Sequence, residues 1–172
     1  MPRLPPEVEG LMNFFVLDKN PVQAALLLDD KRVQKIALEV TQVLSVVLLR
    51  RGVAGFYKPC HQNHPVTLWA GSHPDNTAWA WRYGMALCGV YRLFGKKPEH
   101  ACRSVLLAMR PHLDLVGNKT PFKFQNSARN AKYDLDFTHL PVVQAYEQYL
   151  LARFPTDKRP PVWTGRSTPK WA

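Results

Sequence analysis

The sequence predicts an all-α fold, a compact single-domain helical bundle with long irregular loops and an extended C-terminal tail. Apolar residues recur at three- and four-residue steps in several segments, and strand signals are nearly absent. A chain of 172 residues is also about the size of one domain with one core. We expect the Pro-rich residues 1–11 to be a flexible extension and residues 12–172 to form the domain.

The first elements follow directly from residue 12. "MNFFVLD" predicts a short buried segment, and Asn20 and Pro21 supply an N-cap and a first-turn proline for the helix "PVQAALLLD". The clearest helix begins at Asp29 and Asp30 and runs to a basic last turn before Gly52. Its apolar stripe consists of Val33, Ile36, Ala37, Val40, Val43, Leu44 and Val47.

The rest of the chain predicts four more helical segments. They are a short piece at 66–70, "HPDNTAWAWRYGMALCGVYRLFG" ending at Gly95, "EHACRSVLLAM" before Pro111, and "PVVQAYEQYLLARF" from Pro141. The connection from 111 to 140 is longer than loops in compact domains usually are, which is typical of a binding loop. The basic, Pro-rich tail from 154 suits a segment laid along the body or against a ligand.

Charge and composition favour a polyanionic partner. The chain has 23 Lys+Arg against 13 Asp+Glu, a net charge of +10. No run approaches the roughly 18 to 20 apolar residues that cross a bilayer, and the start does not resemble a secretory signal, so we expect a cytoplasmic protein that does not enter a membrane. Cysteines at 60, 88 and 102 are an odd number at irregular spacing, which predicts reduced thiols.

The stretch "FYKPCHQNHPVTLWA", residues 56–70, leaves several interpretations open. Cys60, His61, His64 and His73 are metal-ligand types, but their spacing matches no standard zinc pattern. A cysteine enzyme would need His61 or His64 to activate Cys60, and adjacent side chains rarely face each other. The histidines could instead bond backbone groups of a tight loop. We expect no metal.

Two further patterns suit chemistry on DNA. One side of the long helix carries Lys31, Lys35, Glu39 and Gln42, a stripe that could also be plain solvated surface. The start of that helix, "DDKRVQK", places carboxylates beside lysines, as removal of a base requires, but carboxylates at a helix start are also ordinary caps. Aromatic residues that could stack on or wedge between bases alternate with basic and amide groups. They are Trp69, Trp79, Trp81, the pair Phe122 and Phe124 beside Lys119, Lys123, Gln125, Asn126 and Arg129, and the terminal Trp163 and Trp171.

A set of short motifs resembles a family of small phage and bacterial proteins labelled DNA glycosylases, including pyrimidine-dimer glycosylase. The motifs are "MNFFVLD", Asp30-Lys31-Arg32 with Lys35, Glu39 and Gln42, "YKPCHQNHP" at 57–65, Trp69, Asn76, Trp79, Gly95-Lys96 with His100, and "TPFKFQN" from 120. The resemblance covers residues 12 to about 165. Arg32 stands where the family has histidine, which puts a base role there in doubt, and "QNSARN" departs from the family's Met-Pro.

The resemblance implies a pocket between the long helix and the loop "YKPCHQNHP" at 57–65, which we call the histidine loop. The catalytic residues would be Asp30, Lys31, Lys35, Glu39, His61 and His64. The substrate-binding residues would be Gln42, Tyr57, Asn63, Trp69, Asn76, Phe122, Gln125 and Asn126. The DNA backbone contacts would be Lys58, Lys96, Lys119, Lys123 and Arg129.

The resulting expectation is a monomeric, cofactor-free DNA N-glycosylase. It would flip a damaged or modified base, such as a modified phage pyrimidine, out of double-stranded DNA and excise it, leaving an abasic site, in base excision or antiviral defence. One alternative is a metal-dependent nuclease that uses the His61/His64 loop. The other is a non-enzymatic, basic helical module that binds DNA.

Overall fold

The structure, a computed structural model, describes residues 13–95 and 99–172 and is largely helical. The predicted extension 1–11, Met12 and Lys96 lie outside the described residues. The helices are α1 Pro21–Leu27, α2 Asp30–Arg50, α3 Pro65–Ser72, α4 Pro74–Arg92, α5 Cys102–Met109 and α6 Val142–Arg153, with short 3-10 helices at Arg110–His112, Ala131–Tyr133 and Phe154–Thr156. Each predicted helical segment is therefore confirmed, with ends that shift by a few residues.

Helix α2 is the central element, and it packs most extensively against α4. Its predicted apolar stripe is buried throughout, including Val33, Val40 and Val47. Gly84 of α4 permits the close crossing, because a Cβ atom there would lie 2.9 Å from Val40 Cγ1. The position thus requires a residue without a side chain.

The segment before α1 is buried, as its apolar run predicts. Phe14 and Leu17 are each 2% exposed, and the backbone carbonyl of Phe14 accepts a hydrogen bond from the hydroxyl of Tyr83. An aromatic cluster surrounds it, with ring centroids 6.4 Å apart for Phe14 and Trp69 and 4.9 Å apart for Trp79 and Tyr83. The amino-terminal residues of the described chain are therefore part of the core.

The connection between α5 and α6 is more regular than expected. It contains the described chain's one sheet, a two-stranded antiparallel ladder of β1 Arg129–Asn130 and β2 Leu135–Asp136. Asp134 makes the turn with a positive φ of 54°, and Asn130 Nδ2 donates to Tyr149 Oη at 3.2 Å. The all-α expectation therefore needs this small correction, which two-residue strands are too short to signal by alternation.

The C-terminal tail lies along the body of the protein. Trp163 is buried, and its Nε1 donates to the carbonyl of Leu27 at 2.9 Å, while the carbonyl of Val162 accepts from Asp30 N at 2.9 Å. Trp171 stacks on Phe154 with ring centroids 6.3 Å apart. Trp163 and Trp171 thus both contact other parts of the described chain.

None of the helices within residues 13–95 and 99–172 is both long and apolar enough to cross a bilayer.

Candidate active site

Glu39 is the carboxylate with the most unusual environment in the predicted set. Helix α2 turns it toward the N-terminal segment, where its side chain is only 9% exposed and its Oε2 accepts a hydrogen bond from the backbone N–H of Asn13 at 3.2 Å. Lys35 Nζ lies 3.8 Å from Oε1, one turn earlier. Burial raises the pKa of Glu39 from 4.5 to about 7, because these two partners offset only part of the desolvation.

The histidine loop is tied to α2 near both of its ends. Tyr57 N donates to Ser45 Oγ at 3.2 Å, and Arg50 donates to the carbonyl of Gln62 at 2.6 Å. His61 adopts a positive φ of 51°, which a side chain other than glycine seldom does and which tertiary contacts must hold in place. The loop is thereby pinned beside the helix that carries Glu39.

Cys60 lies near Glu39, and it shares the histidine loop with His61 and His64. Burial, helped by the negative charge of Glu39, raises the pKa of the Cys60 thiol, which puts the two side chains within electrostatic range. Burial also lowers the pKa of His61, and burial together with His61 and Arg129 lowers that of His64 to about 4. Both imidazoles are therefore uncharged at neutral pH.

His64 also begins helix α3. Its Nδ1 accepts a hydrogen bond from Val66 N at 3.1 Å, and Pro65 occupies the first turn. Because Nδ1 is an acceptor, the proton of the neutral ring belongs on Nε2. His64 can thus donate a hydrogen bond from Nε2 while it caps the helix.

Asn13 closes the third side of the site and was not selected from the sequence. Its Nδ2 donates to the carbonyl of Ser127 at 2.9 Å, which joins Glu39 to the long connection, and its Oδ1 is enclosed without a partner in the described structure. A polar residue directly before the buried run that starts at Phe14 was the available signal. We call Asn13, Lys35, Glu39, Cys60, His61, His64 and Arg129 the Glu39 site.

Asp30 and Lys31 serve a different part of the molecule. The Asp30 carboxylate accepts from Thr164 N at 3.0 Å and from Thr164 Oγ1 at 2.5 Å, and it pairs with the buried guanidinium of Arg166. Lys31 Nζ lies 2.6 Å from Asp157 Oδ1. These two predicted catalytic residues hold the tail, and nine positions of a helix turn Asp30 about 180° away from Glu39.

Arg32, the departure from the family pattern, is an ion-pair centre beside that tail. Its NH1 lies 3.1 Å from Asp29 Oδ2 and 3.0 Å from Asp157 Oδ2, and its side chain is 8% exposed. Burial raises the pKa of Asp29 despite the guanidinium, whereas hydrogen bonds from Lys31 and Arg32 hold the pKa of Asp157 low against a smaller burial. A permanent cation fits this position structurally.

Trp69 and Asn76 hold elements together. Asn76 is buried and donates from Nδ2 to the carbonyl of Trp69 at 2.9 Å, joining α4 to α3. Trp69 Nε1 donates to the carbonyl of Lys123 at 2.7 Å, and its ring stacks on Phe124 at 5.7 Å. Their hydrogen bonds thus position the loop around residue 123.

The other predicted substrate-binding residues are dispersed. Tyr57 Oη lies 3.6 Å from the Sγ of buried Cys102, and burial raises the pKa of Tyr57 to about 12. Asn126 donates to the carbonyl of Leu140 at 3.0 Å, and Gln125 donates to the hydroxyl of Ser127 at 3.2 Å. Gln42 is partly exposed, Asn63 is exposed and Phe122 is fully exposed.

The predicted backbone contacts are exposed cations. Lys58, Lys119, Lys123 and Arg129 are all solvent-exposed. Arg129 is the one whose charge acts on the Glu39 site, through His64. Their exposure leaves them available to phosphates.

Two structural observations bear on the metal hypothesis. His73 caps α4 by accepting from Asp75 N at 3.1 Å. In the described ranges no group of three or more His, Cys, Asp or Glu side chains is arranged to hold an ion.

An apolar groove of about 490 Å³ lies between α1 and α4, and it includes Val22, Trp81 and Leu93. Trp81, one of the aromatic residues considered for base stacking, lines this groove, but none of the predicted catalytic, substrate-binding or backbone-contact residues in the described ranges does.

Comparisons with protein-family models, with curated proteins and with solved structures each gave no match to this chain. The function is therefore argued from the Glu39 site itself.

Proposed function

We propose that the protein is a DNA N-glycosylase in which Glu39 is the catalytic carboxylate. One observation carries the proposal: Glu39 is a buried carboxyl group with a pKa raised to about 7, at the meeting point of α2, the histidine loop and the 124–129 segment. A general base works best with a pKa near the operating pH. Perturbed carboxyl groups are concentrated at catalytic sites.

The chemistry follows from the groups around Glu39. A flipped nucleotide enters the Glu39 site, and the ionised carboxylate takes a proton from a water molecule as the water oxygen bonds to C1′ of the sugar. The bond from C1′ to the base nitrogen breaks, and the base departs with the bonding electrons. His64 donates a hydrogen bond from Nε2 to the leaving base, which takes its proton from solvent. The products are a free base and an abasic site.

The charge of the chain supports DNA as the substrate. The net charge is +10, and no Asp or Glu occurs between Glu39 and Asp75, the stretch that holds the whole histidine loop. A polyanion therefore approaches this loop without repulsion from nearby carboxylates in the sequence. Lys35, which is half-exposed beside Glu39, is available to a phosphate or, after base loss, to the sugar aldehyde.

The decisive measurement is release of free base in the presence of EDTA. Duplex DNA from phages with different modified bases is incubated with the protein, and the released bases are identified by mass spectrometry. Glu39→Gln will lower the rate by about 10²- to 10⁴-fold, the usual contribution of a general base. Glu147→Gln is the matched control, since burial also raises the pKa of Glu147, which lies on α6 outside the Glu39 site.

The pH dependence gives the same proposal a second test. Because Glu39 must be ionised, the rate will rise with pH and level off above about pH 7. Strand breaks that need a divalent ion would instead favour the nuclease, and binding without any product would favour the non-enzymatic module. Trapping with borohydride would reveal an imine on Lys35. The proposal fails if the folded wild-type protein binds these DNAs and releases no base.

A further inference from the structure

Phe122 is a large apolar side chain held in solvent. Its relative exposure is 105%, whereas the neighbouring Pro121 and Phe124 are buried. Large apolar residues that point singly outward are common, but one at the tip of a fixed loop is a candidate contact residue. The segment therefore presents one aromatic ring outward and keeps the next one inward.

The backbone on both sides of Phe122 is anchored. Lys119 N donates to Asp75 Oδ1 at 3.1 Å, and the carbonyl of Lys123 accepts from Trp69 Nε1 at 2.7 Å. The ring of Phe124 stacks on Trp69 at 5.7 Å. These contacts hold the loop in the shape that exposes Phe122, so little ordering is needed when a partner binds.

The surroundings of Phe122 fit an anionic partner. Residues 119–133 contain Lys119, Lys123, Arg129 and Lys132, all exposed, and no Asp or Glu. An apolar ring among cations matches a nucleic acid, which offers phosphates outside and stacked bases inside.

Chain connectivity limits how far Phe122 can lie from the part of the connection that reaches the Glu39 site. Ser127, whose carbonyl is bonded by Asn13, is five positions from Phe122, so their Cα atoms are at most about 18 Å apart. This span corresponds to about five base steps of duplex DNA. Insertion beside the flipped nucleotide requires the ring to lie well within this upper limit.

We propose that Phe122 is a wedge that enters the DNA duplex and fills the gap left by the flipped nucleotide, while Lys119 and Lys123 contact the adjoining phosphates. This inference rests on the proposed function, because it assumes that a base leaves the stack. Insertion of an apolar side chain between base steps is a known means of holding such a distorted duplex.

The test uses two duplexes of the same sequence, one intact and one with a central tetrahydrofuran residue in place of a nucleoside. Wild-type protein will bind the tetrahydrofuran duplex about 5- to 100-fold more tightly, the range expected for one aromatic stacking contact. Phe122→Ala will lose this preference and keep its affinity for the intact duplex, whereas Phe122→Trp will retain it. Val116→Ala, a change at another exposed apolar residue of the connection that is 90% exposed, will change neither affinity.

The outcomes separate the two proposals. A preference that survives in Phe122→Ala, or its absence from the wild-type protein, overturns the wedge. Base release is measured by mass spectrometry with the same variants, so a wild-type protein that prefers the gapped duplex through Phe122 but releases no base leaves the wedge standing and refutes the glycosylase. Because Phe122 is fully exposed, thermal denaturation of the variants will match the wild type.

Discussion

Replacing Glu39 by glutamine will stabilise the protein at alkaline pH, whereas the proposed mechanism requires that it lower base release. In the native state the pKa of Glu39 is about 7, against 4.5 when the group is in water. This difference in pKa lowers the free energy of unfolding by about 3 kcal/mol once Glu39 is fully ionised in both states. The native state keeps the proton that the unfolded chain releases above about pH 4.5, so this part of the stability is present at low pH and is lost as pH rises to about 7.

The magnitude can be worked out for two conditions. At pH 8 the ionised carboxylate lowers the free energy of unfolding of the wild type by the full amount, whereas glutamine does not ionise and has no such effect. The pKa of about 7 already includes the attraction to half-exposed Lys35, so losing that attraction needs no separate correction. We therefore expect Glu39→Gln to be about 2 to 3 kcal/mol more stable at pH 8, and at most about 1 kcal/mol more stable at pH 5.

The assay is urea denaturation of both proteins at pH 5 and pH 8, followed by circular dichroism. A thermal scan at pH 8 will show a Tm higher by about 4 to 9 °C. Equal stabilisation at both pH values would mean that the carboxylate is not the source of the effect. No stabilisation at pH 8 would refute the conclusion that a desolvated, ionised Glu39 destabilises the native state.

Three further substitutions test other parts of the structure. Asp30→Asn will lower the free energy of unfolding in urea by about 3 kcal/mol, because the guanidinium of Arg166 is only 4% exposed and loses its carboxylate partner. Base release per folded molecule will not change. A variant that loses base release but keeps its stability would return Asp30 to the catalytic set. Gly84→Ala will lower stability by about 1 to 3 kcal/mol, since its Cβ would lie 2.9 Å from Val40 Cγ1, and an unchanged Tm would contradict that contact. His64→Asn will change the free energy of unfolding by no more than about 0.5 kcal/mol, because asparagine is also a good N-cap. It will slow base release about tenfold, and an unchanged rate would exclude the proposed hydrogen bond to the leaving base.

The helices were predictable because their signals are local. Asn20 caps α1 by accepting from Val22 N at 2.9 Å, and Pro21 occupies its first turn, as the two adjacent residues predict. The stripe from Val33 to Val47 is buried because three- and four-residue spacing places those residues on one face. The ladder at Arg129 escaped prediction because two-residue strands carry no readable alternation.

The candidate site was only partly predictable. The spacing of Lys35 and Glu39 correctly puts them on one side of α2. The same arithmetic argues against Asp30, which both the carboxylates of "DDKRVQK" and the family resemblance had offered as a candidate. The pairing of Asp30 with Arg166 joins residues 136 positions apart, and no local pattern announces it. Asn13 stands directly before a buried run, which marks it locally, but its partner Glu39 lies 26 positions away and could not be read from the sequence.

The sequence by itself determined the helices, their buried faces and the excess of positive charge, because caps, periodicity and composition depend only on residues near one another in the chain. Tertiary structure decided which of the carboxylates is paired and which is left desolvated. Asp30 meets the guanidinium of Arg166, whereas Glu39 meets a backbone N–H and one half-exposed lysine, and burial raises the pKa of Glu39 to about 7. That difference arises from burial and from partners distant in the chain, which only folding brings together.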